Sequence, residues 1–221
     1  MKVINFAETP SLVSQYMSEL RDVKIQGDMM RFRQNLERIG EIMAYEISKT
    51  LEYKDVDVVT PLETAVCQRL ATPVVLGTIF RAGLPFHQGF LRYFDSAENA
   101  FVSAYRKYKE KKYKDQDEFD IYIEYIASPR LDGKTLILAD PMLATGSSME
   151  LSYRALLTKG VPAHTHLAAV IASQKAVDFV KEHFPEDTTL WVGAIDAEIN
   201  SHSYIVPGLG DAGDLAYGIK E

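Results

Sequence analysis

The stretch of this chain that decides its fold is Thr135-Leu136-Ile137-Leu138-Ala139-Asp140-Pro141-Met142-Leu143-Ala144-Thr145-Gly146-Ser147-Ser148. Its five leading apolar residues predict a buried strand, and a helical pattern follows the loop. A strand, a loop of small residues and a helix start suit a phosphorylated sugar, because unpaired N–H groups at a helix N-terminus attract anions. Asp140 can accept hydrogen bonds from ribose hydroxyls, and Gly146 permits a sharp turn. The alternative is an ordinary turn with a serine N-cap.

Size and composition are those of a soluble globular protein. The chain has 221 residues, of which 47% are hydrophobic and 25% charged. We therefore expect a single domain over residues 1–221 with a sizeable core. The formal net charge is −7, and such a surface repels polyanions. We expect no nucleic-acid partner.

Cys67 is the single cysteine, so no intramolecular disulfide forms and a reducing cytoplasm fits best. We expect Cys67 to be a half-buried, small apolar side chain rather than a nucleophile. The N-terminal residues lack a signal-peptide pattern, and no run approaches the roughly 18–20 apolar residues of a membrane span. The sequence thus predicts a cytoplasmic protein without membrane contact.

Two apolar periodicities alternate along the chain. Spacings of three and four residues predict helices, whereas continuous apolar runs predict strands buried on both faces of a parallel sheet. The predicted helices cover about 11–22, 28–51, 86–94, 149–159 and 174–183, and the predicted strands about 56–62, 73–80, 100–105, 119–127, 135–139, 166–172 and 189–195. This alternation predicts an α/β fold with a parallel sheet, preceded by a helical segment over residues 1–52.

The second predicted helix carries one apolar stripe, which includes Phe32, Leu36, Ile39, Met43 and Ile47. A stripe of this kind serves packing in the core or between two subunits. Its length favours a homodimer or a higher homo-oligomer.

A strongly charged segment with many lysines covers residues 106–118 and lies between two predicted strands. Most charge runs are solvated loops. A lysine-rich arm at a sheet edge could also close over a polyphosphate, and the two readings are compatible.

The tail, Tyr204-Ile205-Val206-Pro207-Gly208-Leu209-Gly210-Asp211-Ala212-Gly213-Asp214, holds three glycines within six residues. Glycine permits positive backbone angles and leaves peptide groups uncovered. Bare peptide groups match the edge of a flat heterocycle such as uracil, which has two carbonyl acceptors flanking an N–H donor. The alternative is a glycine-rich turn without a ligand.

Four motifs in this order and spacing resemble those of uracil phosphoribosyltransferases, over essentially the whole chain after its N-terminal segment. They are Phe80-Arg81-Ala82-Gly83-Leu84, Tyr105-Arg106, the stretch from Asp140 to Ser148, and the tail from Tyr204 to Asp214. Most phosphoribosyltransferases of this fold have two adjacent acids where this chain has Asp140-Pro141, and the proline points to the uracil-specific branch.

The resemblance implies a type I phosphoribosyltransferase fold. Its α/β core, a parallel sheet flanked by helices, would cover residues 53–200, with a protruding β-arm near 106–127. Terminal segments would form a small hood, in which residues 201–221 are the uracil-binding tail. The implied reaction, a step of pyrimidine salvage, transfers the phosphoribosyl group of 5-phosphoribosyl 1-diphosphate (PRPP) to uracil and gives UMP and pyrophosphate.

The resemblance also assigns site residues. Those for PRPP are Arg81, Arg106, Asp140, Pro141, Met142, Leu143, Ala144, Thr145, Gly146, Ser147, Ser148 and Asp211. Those for uracil, mostly through the backbone, are Ile205, Gly210, Asp211 and Ala212. Arg106 and Asp211 are the candidate catalytic residues. Mg²⁺ is the implied cofactor, held mainly by PRPP and water, so no protein ligand is assigned to it.

Two departures from the family pattern concern these sites. Ser147 stands where a second glycine is usual, and Leu215 follows Asp214 where a basic residue is common. Two rival functions use the same scaffold: a catalytically inactive regulator that binds PRPP or nucleotides, and a transferase for another base such as a purine.

Overall fold

The computed structural model describes residues 1–108 and 119–220, without the side chains of residues 105–108 and 119–121. Its helices are α1 (Leu12–Arg21), α2 (Met29–Ser48), α3 (Gly83–Tyr93), α4 (Ser147–Leu157), α5 (Gln174–His183) and α6 (Ala212–Tyr217), with a 3-10 turn at Phe6–Glu8. Its strands are β1 (Lys2–Asn5), β2 (Tyr53–Val59), β3 (Thr64–Leu70), β4 (Val74–Phe80), β5 (Glu98–Tyr108), β6 (Phe119–Ala127), β7 (Thr135–Ala139), β8 (Met142–Leu143), β9 (His164–Ser173), β10 (Thr189–Asp196), β11 (Glu198–Ile199) and β12 (Ile205–Val206).

The main sheet confirms the α/β class. Its strand order is β1-β10-β9-β7-β4-β5-β6, and β8 pairs with β9 beside that path. The pairings are parallel except for β6, which runs antiparallel to β5. Alternate residues of the central strands enter two apolar layers: Leu76 and Ile137 face α1, α2 and α3, whereas Val75 and Leu136 face α4 and α5. The continuous apolar runs arise because both faces are covered.

Side chains cap most of the long helices at the positions where the apolar periodicity begins. The Asp28 carboxylate accepts a hydrogen bond from Arg31 N at the start of α2, and the Ser173 hydroxyl accepts one from Ala176 N at the start of α5. Ser11 and Ser14 form a capping box on α1. Each cap satisfies an N–H group that the helix itself leaves unpaired.

The direction of chain progression reverses between β4 and β7, which are neighbours in the sheet. From β4 the chain continues to β5 on one side, and after β6 it returns to β7 on the other. Thr78 of β4 pairs with Ala139 of β7, so the loops after these two strands begin side by side. Ligands of open parallel sheets bind in the crevice that such a reversal creates at the carboxyl ends of the strands.

The N-terminal helices and the tail form the expected hood. Arg21 of α1 makes two hydrogen bonds of 2.7 Å to the Asp196 carboxylate, and its Nη1 also donates to Gly208 O at 3.0 Å. Arg33 of α2 donates to Ala216 O of α6 at 2.6 Å. These contacts fasten the tail across the N-terminal helices.

The prediction that residues 56–62 form a strand of the parallel sheet is wrong. The strand exists as β2, but it pairs antiparallel with β3 in a separate two-stranded hairpin. No residue of either strand is fully buried. The predicted half-buried Cys67 lies in this hairpin and is exposed. Apolar character alone did not reveal that the hairpin projects away from the core.

The N-terminal segment is not wholly helical, since Lys2–Asn5 adds the edge strand β1 beside β10. Four residues are too few for a recognisable period. The apolar stripe of α2 packs inside its own chain, where Phe32, Leu36 and Ile39 are at most 1% exposed. The structure therefore assigns this stripe to the core and leaves it no part in subunit contact.

The predicted arm begins as the β5–β6 pair, whose register runs to Tyr108 opposite Phe119. Residues 109–118, which hold most of the charged segment, lie outside the described residues. Within the described ranges, no helix has both the length and the hydropathy that a membrane span needs.

Candidate active site

The loop after β7 has the geometry of an anion-binding helix start. Gly146 is the N-cap of α4 with φ 85°, and no side chain caps the helix. The alternative of a serine N-cap is thus wrong for this loop. A Cβ at Gly146 would lie 2.5 Å from Cδ1 of Phe179, so only glycine fits both the angle and the space.

The phosphate-loop residues predicted from the sequence are held together by the sheet below them. Pro141 O accepts hydrogen bonds from Val170 N at 3.1 Å and Ile171 N at 3.0 Å, while Ala144 O accepts one from Ser173 Oγ at 2.6 Å. The loop encloses a small pocket of about 20 Å³, lined by Met142, Leu143, Ala144, Thr145, Gly146, Ser148 and Met149. Asp140 and Ser147 are partly exposed beside it.

Arg81 follows β4 across the order reversal from Asp140. The Phe80–Arg81 peptide bond is cis, and α3 begins two residues later at Gly83. A Cβ at Gly83 would lie 2.3 Å from Thr78 Oγ1 and 3.5 Å from Ala139 O. The start of α3 therefore packs directly on the ends of both strands, which brings the loop carrying Arg81 beside the phosphate loop.

The tail loop is bent by glycine and anchored by buried residues. Gly208 and Gly210 have φ values of 61° and 91°, as their type predicted. A Cβ at Gly208 would lie 2.0 Å from Ile205 O. Ile205 and Ala212 are 4% and 1% exposed, so their side chains pack in the core and are not available for contact with a ligand.

A chain of charged side chains joins the tail to the loop after β4. Arg81 Nη2 donates to Asp214 Oδ1 at 2.6 Å, and Arg81 Nη1 to Gly218 O at 3.2 Å. Lys220 Nζ lies 2.8 Å from Asp211 Oδ2 and 3.5 Å from Asp214 Oδ1. The structure thus brings together Arg81 and Asp211, which the sequence assigned to separate motifs.

Asp211 is an ionised carboxylate in this arrangement. Burial raises the pKa of its carboxyl group, but hydrogen bonds from Lys220 Nζ and from the N–H groups of Asp214 and Gly213 outweigh burial, so the net shift is downward. Its Oδ1 also caps α6 by accepting from Asp214 N at 3.0 Å. A carboxylate with a lowered pKa is a weak proton acceptor at neutral pH.

The structure says little about two features of the predicted site, the Arg106 side chain and the bound metal ion. Arg106 belongs to β5, opposite Ile121, but its side chain lies outside the described residues. Among the residues that are described, no group of three or more His, Cys, Asp or Glu side chains has the arrangement of a metal site.

A groove of about 510 Å³ lies between α2, α3, β5 and α6. Arg33, His87 and Tyr217 are among its lining residues, and none of the predicted site residues is. Burial lowers the pKa of the His87 imidazole.

Sequence reasoning missed several residues that hold the site. Arg21, Asp196 and Lys220 were not identified, and Asp214 was noted only as part of the tail motif. Arg21 and Asp196 are 175 positions apart, and no local pattern distinguishes either of them. Asp214 had a usable signal, because it lies three residues after Asp211, the spacing of a helix cap.

Comparison with known proteins extends the likeness over the whole chain. The family model described as Uracil phosphoribosyltransferase matches residues 7–219. The uracil phosphoribosyltransferase of Porphyromonas gingivalis is 60% identical over 220 residues, covering 100% of both proteins. That of Pyrococcus furiosus is 37% identical over 219 residues, which cover 98% of this chain and 90% of the relative. The solved structure of the AQ2163 protein from Aquifex aeolicus has a TM-score of 0.86 at 27% identity and covers 98% of each chain.

Proposed function

The chain belongs to the uracil phosphoribosyltransferase family, and we propose how its loops divide the work of that reaction. The enzyme transfers the phosphoribosyl group of PRPP to uracil and produces UMP and pyrophosphate. The observation that carries the proposal is the Arg81–Asp214 ion pair of 2.6 Å. It joins the loop at the order reversal of the sheet to the glycine-rich tail.

PRPP lies across the order reversal in this proposal. The 5-phosphate binds at the start of α4, where N–H groups, Thr145 and Ser148 offer hydrogen-bond donors. Asp140 receives hydrogen bonds from the ribose hydroxyls. Arg81, with Arg106, holds the diphosphate, since a planar guanidinium binds phosphate oxygens in pairs.

Uracil binds against the tail loop, through backbone groups of Ile205 and of residues 210–212. The buried side chains of Ile205 and Ala212 support backbone recognition. Peptide donors that face the 4-oxo group of uracil would face the amino group of cytosine instead. A site built for one hydrogen bond discriminates strongly against a ligand that cannot make it.

The transfer proceeds by displacement at the anomeric carbon, through an oxocarbenium-like state. Alignment of the base and stabilisation of the leaving diphosphate are the contributions of the protein. The lowered pKa of Asp211 supports a function in charge and orientation rather than in proton removal. Arg106 remains a candidate for contact with the leaving group.

We assign Mg²⁺ as the cofactor. Mg²⁺ binds oxygen ligands, keeps several waters, and uses one or two carboxylates together with substrate phosphates. The Asp140 carboxylate is the fitting donor at this edge of the sheet, since Lys220 Nζ and Asp214 N already contact the two oxygens of Asp211. When bound, the ion would neutralise negative charge on the diphosphate.

We also propose that the protein is a homodimer that works in the cytoplasm. An isolated two-stranded hairpin is marginally stable in water, and the β2–β3 hairpin exposes Val59, Leu62 and Val66 at 85%, 97% and 68%. A second copy of the chain would cover these side chains. The cytoplasmic location continues to rest on the single cysteine.

The deciding assay combines PRPP, Mg²⁺ and a panel of uracil, cytosine, hypoxanthine and adenine, with pyrophosphate release and UMP formation as readouts. We expect turnover with uracil and at most a trace with the other bases. Equal rates with cytosine would contradict the tail-loop proposal, and turnover only with a purine would support the rival transferase. The absence of turnover with any base would favour the inactive regulator.

A further inference from the structure

Lys220 connects the two acidic residues of the tail. Its Nζ lies 2.8 Å from Asp211 Oδ2 and 3.5 Å from Asp214 Oδ1. Asp214 Oδ1 also accepts the hydrogen bond from Arg81. One carboxylate oxygen is therefore shared between Arg81, which we assign to the diphosphate, and Lys220.

Lys220 lies outside the recognised motifs. The family model ends at residue 219, and the sequence resemblance places a basic residue at the position of Leu215. In this chain Leu215 is half-buried and packs against the hydrophobic core. The cation beside Asp214 comes instead from five positions further along the chain.

The charges of this cluster balance only when Lys220 is included. Asp211 and Asp214 carry two negative charges, whereas Arg81 and Lys220 carry two positive charges. PRPP is itself strongly anionic, so an uncompensated carboxylate beside its diphosphate would oppose binding. When Arg81 turns towards the diphosphate, Asp214 would also lose its main partner, and an unpaired, partly buried carboxylate is costly.

We propose that Lys220 is a positioning residue for PRPP binding, which neutralises Asp211 and takes over Asp214 when Arg81 engages the diphosphate. This inference rests on the proposed assignment of Arg81 to PRPP. Lys220 would then be a third basic residue at the site, after Arg81 and Arg106, and it would act on the substrate only through the two carboxylates.

A purely structural function of Lys220 predicts different behaviour. The side chain is 61% exposed, and exposed ion pairs contribute little to stability. Replacement by methionine should therefore leave the melting temperature unchanged and should act on substrate binding. A positioning function should therefore change the KM for PRPP and leave kcat and the melting temperature nearly unchanged.

The test measures kcat and the KM for PRPP in the wild type, Lys220→Met and Lys220→Arg, with calorimetric titration of PRPP in parallel. Lys181→Met serves as the control, because Lys181 lies on α5 beside Asp178 at 3.9 Å. We expect Lys220→Met to raise the KM roughly three- to tenfold at low salt, with kcat within about twofold. Lys220→Arg should keep the wild-type KM, because it keeps the positive charge. High salt should reduce the difference in KM between Lys220→Met and the wild type.

An unchanged KM and an unchanged calorimetric affinity in Lys220→Met would overturn the proposal. So would a fall in kcat at constant KM, or a failure of Lys220→Arg to restore binding. The proposed function fails separately, if the wild type itself releases no pyrophosphate from PRPP and uracil. In that case the ratio of the PRPP affinities of the wild type and Lys220→Met, measured by calorimetry, still tests the effect of Lys220.

Discussion

Arg81 links two parts of the molecule through one side chain. In this structure it is bound to Asp214 and to the carbonyl of Gly218, so the tail already holds the guanidinium at the strand ends. The residue that the sequence assigns to PRPP is thus positioned by the segment assigned to uracil.

Replacement of Arg81 by alanine should weaken PRPP binding at least about tenfold, because a hydrogen bond to a charged group contributes roughly 1.5–3 kcal/mol. Titration calorimetry with PRPP measures the change. Arg92→Ala is the control, since Arg92 lies near the end of α3, the helix that follows Arg81, and is paired with Glu37 and Glu41. An unchanged PRPP affinity in Arg81→Ala would show that the assignment of this residue is wrong.

Asp211→Asn removes a negative charge while keeping the shape of the side chain. Asparagine also caps helices well, so the melting temperature should stay near that of the wild type. We expect the turnover number to fall by roughly 10²–10⁴ if Asp211 takes part in proton transfer, and at least about tenfold if it acts through charge. Turnover within about threefold of the wild type would exclude either contribution.

At the scale of single elements, the sequence predicted most helices and strands to within a few residues. The helix predicted over 174–183 coincides with α5, and the strand over 73–80 nearly coincides with β4. Periodicity succeeds there because each element is packed against one or two apolar layers. It did not predict β3, most of whose residues face solvent, or β1, which is too short, and it placed β2 in the wrong sheet.

The tail loop depends on glycine at position 208. Gly208→Ala should raise the KM for uracil and lower the melting temperature, because the new Cβ would lie 2.0 Å from Ile205 O. Gly133→Ala is a matched control, since Gly133 has φ 70° and no other atom would lie within 4 Å of an added Cβ. Both variants carry the strain of a positive φ. If Gly208→Ala kept the uracil KM of Gly133→Ala, the tail would not be the uracil site.

His166 of β9 makes the stability of the protein depend on pH. Burial, followed by the nearby His164, lowers the pKa of the imidazole to about 3, and its Nδ1 accepts a hydrogen bond from Trp191 Nε1 at 3.2 Å. In the unfolded chain the pKa returns to about 6.5. As the pH falls below that value the unfolded state binds a proton that the folded state does not, so stability decreases.

The matching experiment compares denaturant unfolding of the wild type and of His166→Asn at pH 7.5 and pH 5.5. Between pH 7.5 and pH 5.5 the free energy of unfolding should decrease in both proteins. The decrease should be about 1.4 kcal/mol smaller in the variant than in the wild type. Other groups titrate equally in both proteins and cancel. An equal fall in both proteins would mean that His166 is protonated in the folded state.

At the scale of the whole molecule, the single chain leaves the β2–β3 hairpin without cover. We expect Val66→Lys to shift the equilibrium towards monomer, because removing the lysine charge from water in a dimer interface is costly. Within one chain it would face Asp57 across the hairpin, which is a favourable pairing. Val161→Lys is the control, since Val161 is also 68% exposed. Sedimentation over a range of concentrations measures the equilibrium, and a monomeric wild type would contradict the proposal.

The sequence by itself determined the residue types of each loop and the α/β class. The strand-loop-helix order, the glycines and the apolar periods act between residues that are close along the chain, so they can be recognised without coordinates. The family resemblance then assigned the motifs to one reaction.

Only the tertiary structure decided which motifs meet. Arg81 and Asp214 are 133 positions apart, and they come together because the chain reverses its strand order between β4 and β7 and the tail returns across α2. The return of the tail also brings Lys220 to Asp211. The β2–β3 hairpin stays uncovered because it forms a separate sheet. Contacts of this kind depend on how all the elements pack together, and no local pattern of residues specifies that packing.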